Sequence, residues 1–559
     1  MGLIATAILA SVPVESGAGN DTDDSTYLHA AIEMWRDHIL AVPGSGEIRG
    51  LGMLGTTRYA WRDNAAGTAC VIHKNSSNGW EEVDLGKKID FTSGGTVEIT
   101  EDATITGATS LATATVERIV VSSGTWGGGD AAGYIVLADQ GGTFIGENLN
   151  IGTDLNVATV AGDSEAITLL PGGHYEIISH NFFGQPGSLR MYGCDGVNQG
   201  FEFDGSVYCP ITTGLPTDTP THVSAHKKHL FFMFPGGSTK HSGVGYPLKW
   251  LSAAGALEIA LGDVGVGMAP QPGGVLAMWC RNSSHLLYGN DATDWELKTH
   301  SEVSGAIEWT IQRLSQSIYL DDPGVTTLNA VQDFGDFGSG IISQDINPLI
   351  KEKNGLAISS MRVRDKQQYR LFFSDNSGLS FTFNSGKLLG VTRTDYGMPV
   401  RVTASGEISG SEVLLFGSDD GYVYQLDKGT SLDGEELESM FRLPYNHLKT
   451  PENKKAWYKA VLELSSPEQI TLEWIEDYDY SGGPSAAAQD IDIISGGGYW
   501  NISNWNEFLW SSQAVGTAEA YLGGVGNNMG LFIRHASVYD QPHSIQGMTI
   551  HYSVRGLRR

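Results

Sequence analysis

The feature that most constrains this chain is an internal repeat. Leu371-Phe372-Phe373-Ser374-Asp375-Asn376-Ser377-Gly378-Leu379-Ser380-Phe381-Thr382-Phe383-Asn384 aligns without a gap on Leu414-Leu415-Phe416-Gly417-Ser418-Asp419-Asp420-Gly421-Tyr422-Val423-Tyr424-Gln425-Leu426-Asp427. Each copy reads as a buried apolar strand, a polar turn containing glycine, then an alternating strand. The offset of 43 residues matches one four-stranded propeller blade. Looser copies lie upstream at 191–205, 230–237 and 276–288. A blade cannot bury both faces alone, so blades stacked around an axis supply the core. Candidates from Arg49 to Asp427 give about six or seven blades.

Composition agrees with an all-β chain. Of 559 residues, 72 are Gly, 19 are Pro and 41% are hydrophobic, which fits a turn-rich globular protein and excludes collagen and disorder. A chain of this length should divide into two or more domains. Helical periodicity is scarce. At 25–40, Leu28, Ile32, Trp35 and Ile39 fall at helical spacing, but 31–36 reads equally as a strand. No apolar stretch reaches membrane-spanning length. The run at 3–14 has no Lys or Arg before it, as a secretory signal would. Cys70, Cys194, Cys209 and Cys280 lack paired metal spacing and read as reduced, buried small hydrophobes.

The formal net charge is −29. Neutralising phosphates needs clustered cations, so this composition argues against binding the outside of nucleic acid. An acidic wall would instead keep a passing strand from sticking. The expected organisation is an N-terminal segment with the first blade (1–88), an inserted small β-barrel or sandwich domain (89–166), the remaining blades (167–434) and a C-terminal β-sandwich-like domain (435–559). In the insert, Thr96-Val97-Glu98-Ile99-Thr100 and parts of 113–121 alternate at period two, with later strands near 134–137 and 144–151. Arg118 is the only basic residue between 90 and 166, and the acidic surface suggests a module projecting into solvent or a lumen. In the C-terminal region, strands are expected at 459–464 and 470–475.

Residues 417–434, "GSDDGYVYQLDKGTSLDG", resemble the last blade of the tail nozzle and tail-hub (tail tubular) structural proteins of short-tailed bacteriophages. Phe441-Arg442-Leu443-Pro444-Tyr445 and residues 454–463 are similar to the strand after that blade in the family. Similar too are His229-Leu230-Phe231-Phe232 leading to Ser242-Gly243-Val244-Gly245-Tyr246-Pro247-Leu248, and the close at 546–556. Gly142-Thr143-Phe144-Ile145-Gly146-Glu147-Asn148-Leu149 looks like small β modules of phage virion proteins. The resemblance implies a virion protein of the phage tail, a homo-oligomeric nozzle ring, hexameric, below portal and adaptor. Its partners would be further copies of itself, the tail adaptor or portal-proximal proteins, and tail fibres or spikes. DNA would pass through the lumen without specific binding, and there would be no membrane span. The alternative is a receptor- or glycan-binding phage adhesion protein, with a polysaccharide-cleaving enzyme third.

No catalytic, cofactor-binding or metal-binding residue is assigned, and the chain reads as a non-enzyme without cofactors. His222, His226 and His229 suggest a metal on a helix, but the run after them is strand-like, and on a strand only His222 and His226 share a face. No carboxylate stands near them in sequence as a further ligand. Residues 374–381 look like the turn of sialidase-type propellers, a structural motif in those proteins. A glycosidase needs two carboxylates flanking the bond; Glu476-Asp477-Tyr478-Asp479 offers acids, with Asp477 and Asp479 reading as a solvated strand end or weak cation site. Trp500, Trp505 and Trp510 read as sandwich core in preference to a sugar-stacking surface.

Overall fold

The computed structural model describes residues 39–330, 337–465, 470–480, 488–493, 516–537 and 543–555. The apolar run at 3–14, Trp500, Trp505 and Trp510, and all but the end of 25–40 lie outside the described residues. The chain divides into two compact units, one at 39–427 and one that takes in the residues from Lys428 onward. Both are built of β-strands, and the single α-helix among the described residues is Asn347–Lys353. No helix there is long and apolar enough to cross a membrane.

Unit 39–427 contains, among its described residues, seven antiparallel meanders taken in chain order, at 45–82, 176–211, 222–260, 265–301, 312–341, 357–395 and 402–426. Six have four strands and the seventh has three. Each sheet shares a hydrophobic core with the next, and the seventh shares one with the first. The sheets therefore form a closed cycle.

The repeat copies begin on the second strands of five of the seven sheets. These strands are buried along nearly their whole length because a neighbouring sheet covers each face. Alternate side chains divide between the two cores. In His229–Phe234, Leu230, Phe232 and Phe234 face the second sheet while Phe231 and Met233 face the fourth. Leu371 and Phe373 likewise face the fifth sheet and Phe372 the seventh. A run without polar interruption is thus what this architecture demands. The two clear repeat copies differ in register. Leu371 pairs with Leu379, whereas Leu414 pairs with Leu426 across a wider turn.

Closure between the seventh and first sheets is made by packing and by two backbone bonds, Val42 N–H to Gly421 O at 2.9 Å and Ile48 N–H to Ser418 O at 3.1 Å. The buried Arg62 guanidinium donates to Val42 O and Gly46 O beneath this seam. Gly421 has φ +83°, and a Cβ there would sit 2.1 Å from that guanidinium, so only glycine fits.

Between the first and second sheets the chain builds a closed six-stranded barrel from Lys87–Thr92, Thr104–Gly107, Thr113–Ser123, Ala132–Gly141, Glu147–Ile151 and Asp154–Val160. Closure comes from Val160 pairing with Phe91. Thr96-Val97-Glu98-Ile99-Thr100 is not a strand. Its alternation arises because Ile99 inserts into the barrel core while Val97 stays exposed, with Gly94 and Gly95 tied by backbone bonds to Ala131 and Val157. Nor is the barrel a solvent-borne appendage. Val120, Tyr134 and Val136 pack against Phe203, Tyr208 and Cys209 of the second sheet. Arg118 is buried at that contact, where it meets Glu202 and Asp204.

The second unit has one sheet of Leu437–Asn446, Met529–Ser537, Ile470–Tyr478 and Gln489–Ile493, and another centred on Lys455–Ser465 between Gly516–Tyr521 and Ser544–Val554. Trp457, Leu462 and Leu464 of the second meet Leu472, Trp474 and Leu531 of the first in one core. All four cysteines are free and buried, and all belong to the first unit.

Candidate functional site at the axis of the sheet cycle

The first strands of neighbouring sheets pack against one another around the cycle, including Ser45–Leu54 on Val402–Ile408 and Glu176–His180 on His222–His226. At one end of these strands lies a cluster of charged and aromatic residues. His222 opens the first strand of the third sheet and is fully buried. Its Nδ1–H donates to Glu176 Oε2 at 2.6 Å, and its Nε2 lies 3.3 Å from Glu308 Oε1. The sequence placed no carboxylate beside His222; the fold supplies two, from the second sheet and from the segment leading into the fifth. Burial opposes charge on this ring, but Glu176, by charge and hydrogen bond, and Glu308 prevail and raise its pKa to about 9.

Trp309 follows Glu308 and packs on two histidines, His174 at 4.0 Å between ring centroids and His222 at 4.8 Å. His174 responds oppositely to His222. Burial lowers its pKa to about 4, opposed by the pull of Glu308 and reinforced by the repulsion of His222, Arg49 and Arg401. Two histidines on one indole are thus neutral and charged respectively at neutral pH. Around them Arg49 pairs with Glu47 and Asp63, and Arg401 with Glu47 and Asp419.

In a cycle of seven, the second and third sheets do not both adjoin the fifth. Glu308 and Trp309, in the segment leading into the fifth, nonetheless reach His222 and His174. This segment is fixed at several points: Ala306 N–H to Cys280 O, Ile307 N–H to Leu320 O, the Ser360 hydroxyl to Trp309 O at 2.7 Å, and the Tyr369 hydroxyl to Thr310 O at 2.8 Å. Trp309 has φ +64°, a left-handed conformation that costs a bulky residue about 1–3 kcal/mol.

His226 and His229 face each other across their hairpin but belong to a different cluster from His222. His229 and His241 both donate Nδ1–H to Ser242 O, and His241 Nε2 accepts from Trp295 Nε1 at 3.0 Å. Burial lowers the pKa of His226 and of His241 to about 4. Among the described residues no group of three or more His, Cys, Asp or Glu is arranged to hold a metal ion.

The turn at 374–381 is structural in its contacts. Asp375 pairs with the buried Lys353 and accepts from the Ser377 hydroxyl, which lowers its pKa to about 2. In the other repeat copy Ser418 stands at the position of Asp375, and the Asp419 beside it pairs with Arg401. In the second unit, Asp477 accepts from the Tyr445 hydroxyl and Asp479 from Asn527 N–H. Beside them Arg442, Pro444, Tyr445 and Tyr480 line a shallow hollow of about 400 Å³, with the two tyrosine rings 4.5 Å apart.

Sequence reading missed Glu176, Glu308, His174 and Trp309. They lie far from His222 in the chain and carry no shared local pattern; an isolated Glu-Trp pair in a connector was the only trace.

No family model matches the chain, and no curated protein matches it. Among solved structures it is similar to the computationally designed Ika8 protein, with 8% identity over 69% of this chain and 98% of that one, at a TM-score of 0.31. A second similar structure is BBS1N in complex with ARL6DN, with 12% identity over 52% and 88% of the two chains and a TM-score of 0.31. A third is Raptor of Chaetomium thermophilum, with 8% identity over 62% of this chain and 29% of that one, at 0.32.

Proposed function

We propose that this chain is a structural protein of a tailed-phage virion, a β-propeller whose copies assemble into a homo-oligomeric tail nozzle ring around the DNA exit channel. The observation that carries this reading is the closed order of seven sheets with a barrel between the first and second and a separate β unit after the seventh. That order agrees with the organisation expected from the repeat and the composition, and the step from architecture to role rests on analogy with the phage family. Charge supports it. Arg62, Arg118, Lys353, Arg370 and Lys455 are buried and cannot reach a phosphate, in a chain whose net charge is already −29. A lumen lined by such copies would repel DNA. Tail adaptor or portal-proximal proteins would bind one end of the ring, and fibres or spikes its periphery.

Negative-stain imaging with light scattering on the purified chain, alone and mixed with candidate adaptor rings, tests the reading. Six-fold rings with an open centre support it; a compact trimer in both conditions overturns it. A second reading, a glycan-binding adhesion protein, is favoured by the Tyr445–Tyr480 hollow, where paired aromatic faces, Arg442 and Asp477 would suit a sugar ring. Glycan-array binding lost on Tyr480→Ala would establish it.

A further inference from the structure

We propose that residues 306–310 form a latched crossbar that closes the axis of the seven-sheet cycle, with the Glu176–His222–Glu308 bridge as its latch. Three independent observations converge. The segment spans sheets that are not both neighbours: it leaves the fourth at Cys280, stacks on His174 and His222 of the second and third, and is bonded to Ser360 of the sixth. Trp309 sits in a strained left-handed conformation, so the segment is held in place rather than at rest. Glu308 is the segment's one charged group toward the third sheet, and it lies half-exposed against a fully buried His222.

Removing Glu308's charge leaves His222 paired with Glu176 alone and frees the strained segment to swing outward, pivoting on the Ser360 and Tyr369 bonds. The charged groups around the latch are Glu176, Glu308 and His222 itself, with Arg49 and Arg401 beyond them and the titratable His174 on the same indole. A closed axis has a functional corollary: no strand of nucleic acid threads a single chain, and any passage must be a space enclosed between copies. The proposal rests on the closed sheet order and not on the phage reading, so ring imaging can fail while the crossbar stands.

The test is hydrogen–deuterium exchange on the full chain, wild type against Glu308→Gln, with acrylamide quenching of Trp309 read as the difference from Trp309→Phe. Glu308 is half-exposed, so the variant should fold. The expected result is exchange at 306–310 at least tenfold faster in Glu308→Gln, with the second strands unchanged and Trp309 quenched more readily. His222→Gln, assayed in parallel, should open the same segment. Unchanged exchange and quenching in a folded variant would overturn the proposal. So would acceleration spread evenly over all seven sheets, which would mark the bridge as general scaffolding.

Discussion

Arg118 of the barrel and Glu202 of the second sheet meet at 3.1 Å, with side chains 8% and 1% exposed. Glu202 also accepts from Arg190 and from the Tyr192 hydroxyl, and Arg118 continues to Asp204. Removing one member of such a network strands a charge away from water, at about 3–5 kcal/mol. Arg118→Met and Glu202→Gln should each lower the denaturation midpoint strongly, and the double variant should lose less than the sum of the two. Urea unfolding followed by fluorescence would measure both.

Stability should peak near neutral pH. The pKa of His222 is raised to about 9 in the fold, so its contribution is full below its unfolded value of roughly 6.5 and is lost as pH rises through about 9. His174, His226 and His241 are lowered to about 4; their contribution is present above roughly 6.5 and is lost as pH falls toward 4. His222→Gln should flatten the alkaline limb and, by lifting one repulsion from His174, shift the acid limb only slightly. Denaturant midpoints across pH 4 to 10 would separate the two limbs.

Glu147 is the carboxylate on which the barrel's end loops converge. It accepts from Thr109 N–H at 2.6 Å, Ser110 N–H at 2.9 Å, Ile145 N–H at 3.2 Å and the Ser110 hydroxyl. These donors overcome burial and lower its pKa to about 2. Its stabilisation is therefore present above the ordinary carboxylate range and is lost as pH falls toward 2. Glu147→Gln should cost roughly 1–3 kcal/mol, and amide exchange should quicken at 107–112 and 143–147 before the rest of the barrel.

Lys455 is wholly buried, its ammonium donating to the carbonyls of Thr450, Asn453 and Asn527 at 2.7, 3.0 and 2.9 Å. It ties the connector before its own strand to the hairpin at 526–529. Lys455→Met would leave these acceptors without their donor and should destabilise the second unit by roughly 2–4 kcal/mol. Lys455→Arg should not rescue it, since the planar guanidinium cannot match three converging acceptors. Limited proteolysis that releases this unit while sparing 39–427 would register the loss.

Legibility followed burial. Second strands such as Val275–Cys280 and Gln368–Phe373 could be read because covering both faces imposes an unbroken apolar run. Outer strands such as Lys387–Asp395 are mostly solvent-facing and carry no such imprint. The Ile99 misreading has the same root, since one buried side chain between exposed neighbours resembles strand alternation. The axial cluster was invisible for a different reason. Glu176 and Glu308 lie 46 and 86 residues from His222, and only closure of the cycle brings them together.

The barrel's two connections to the sheet cycle run side by side, joined by Ile167 N–H to Gly86 O at 3.1 Å. Such an arrangement makes the barrel an exchangeable cassette. Shortening, enlarging or replacing it would not re-thread the sheets. Its surroundings still set a toll: any substitute must cover Phe203 and Tyr208 with an apolar lid and satisfy the side of Glu202 that Arg118 now meets.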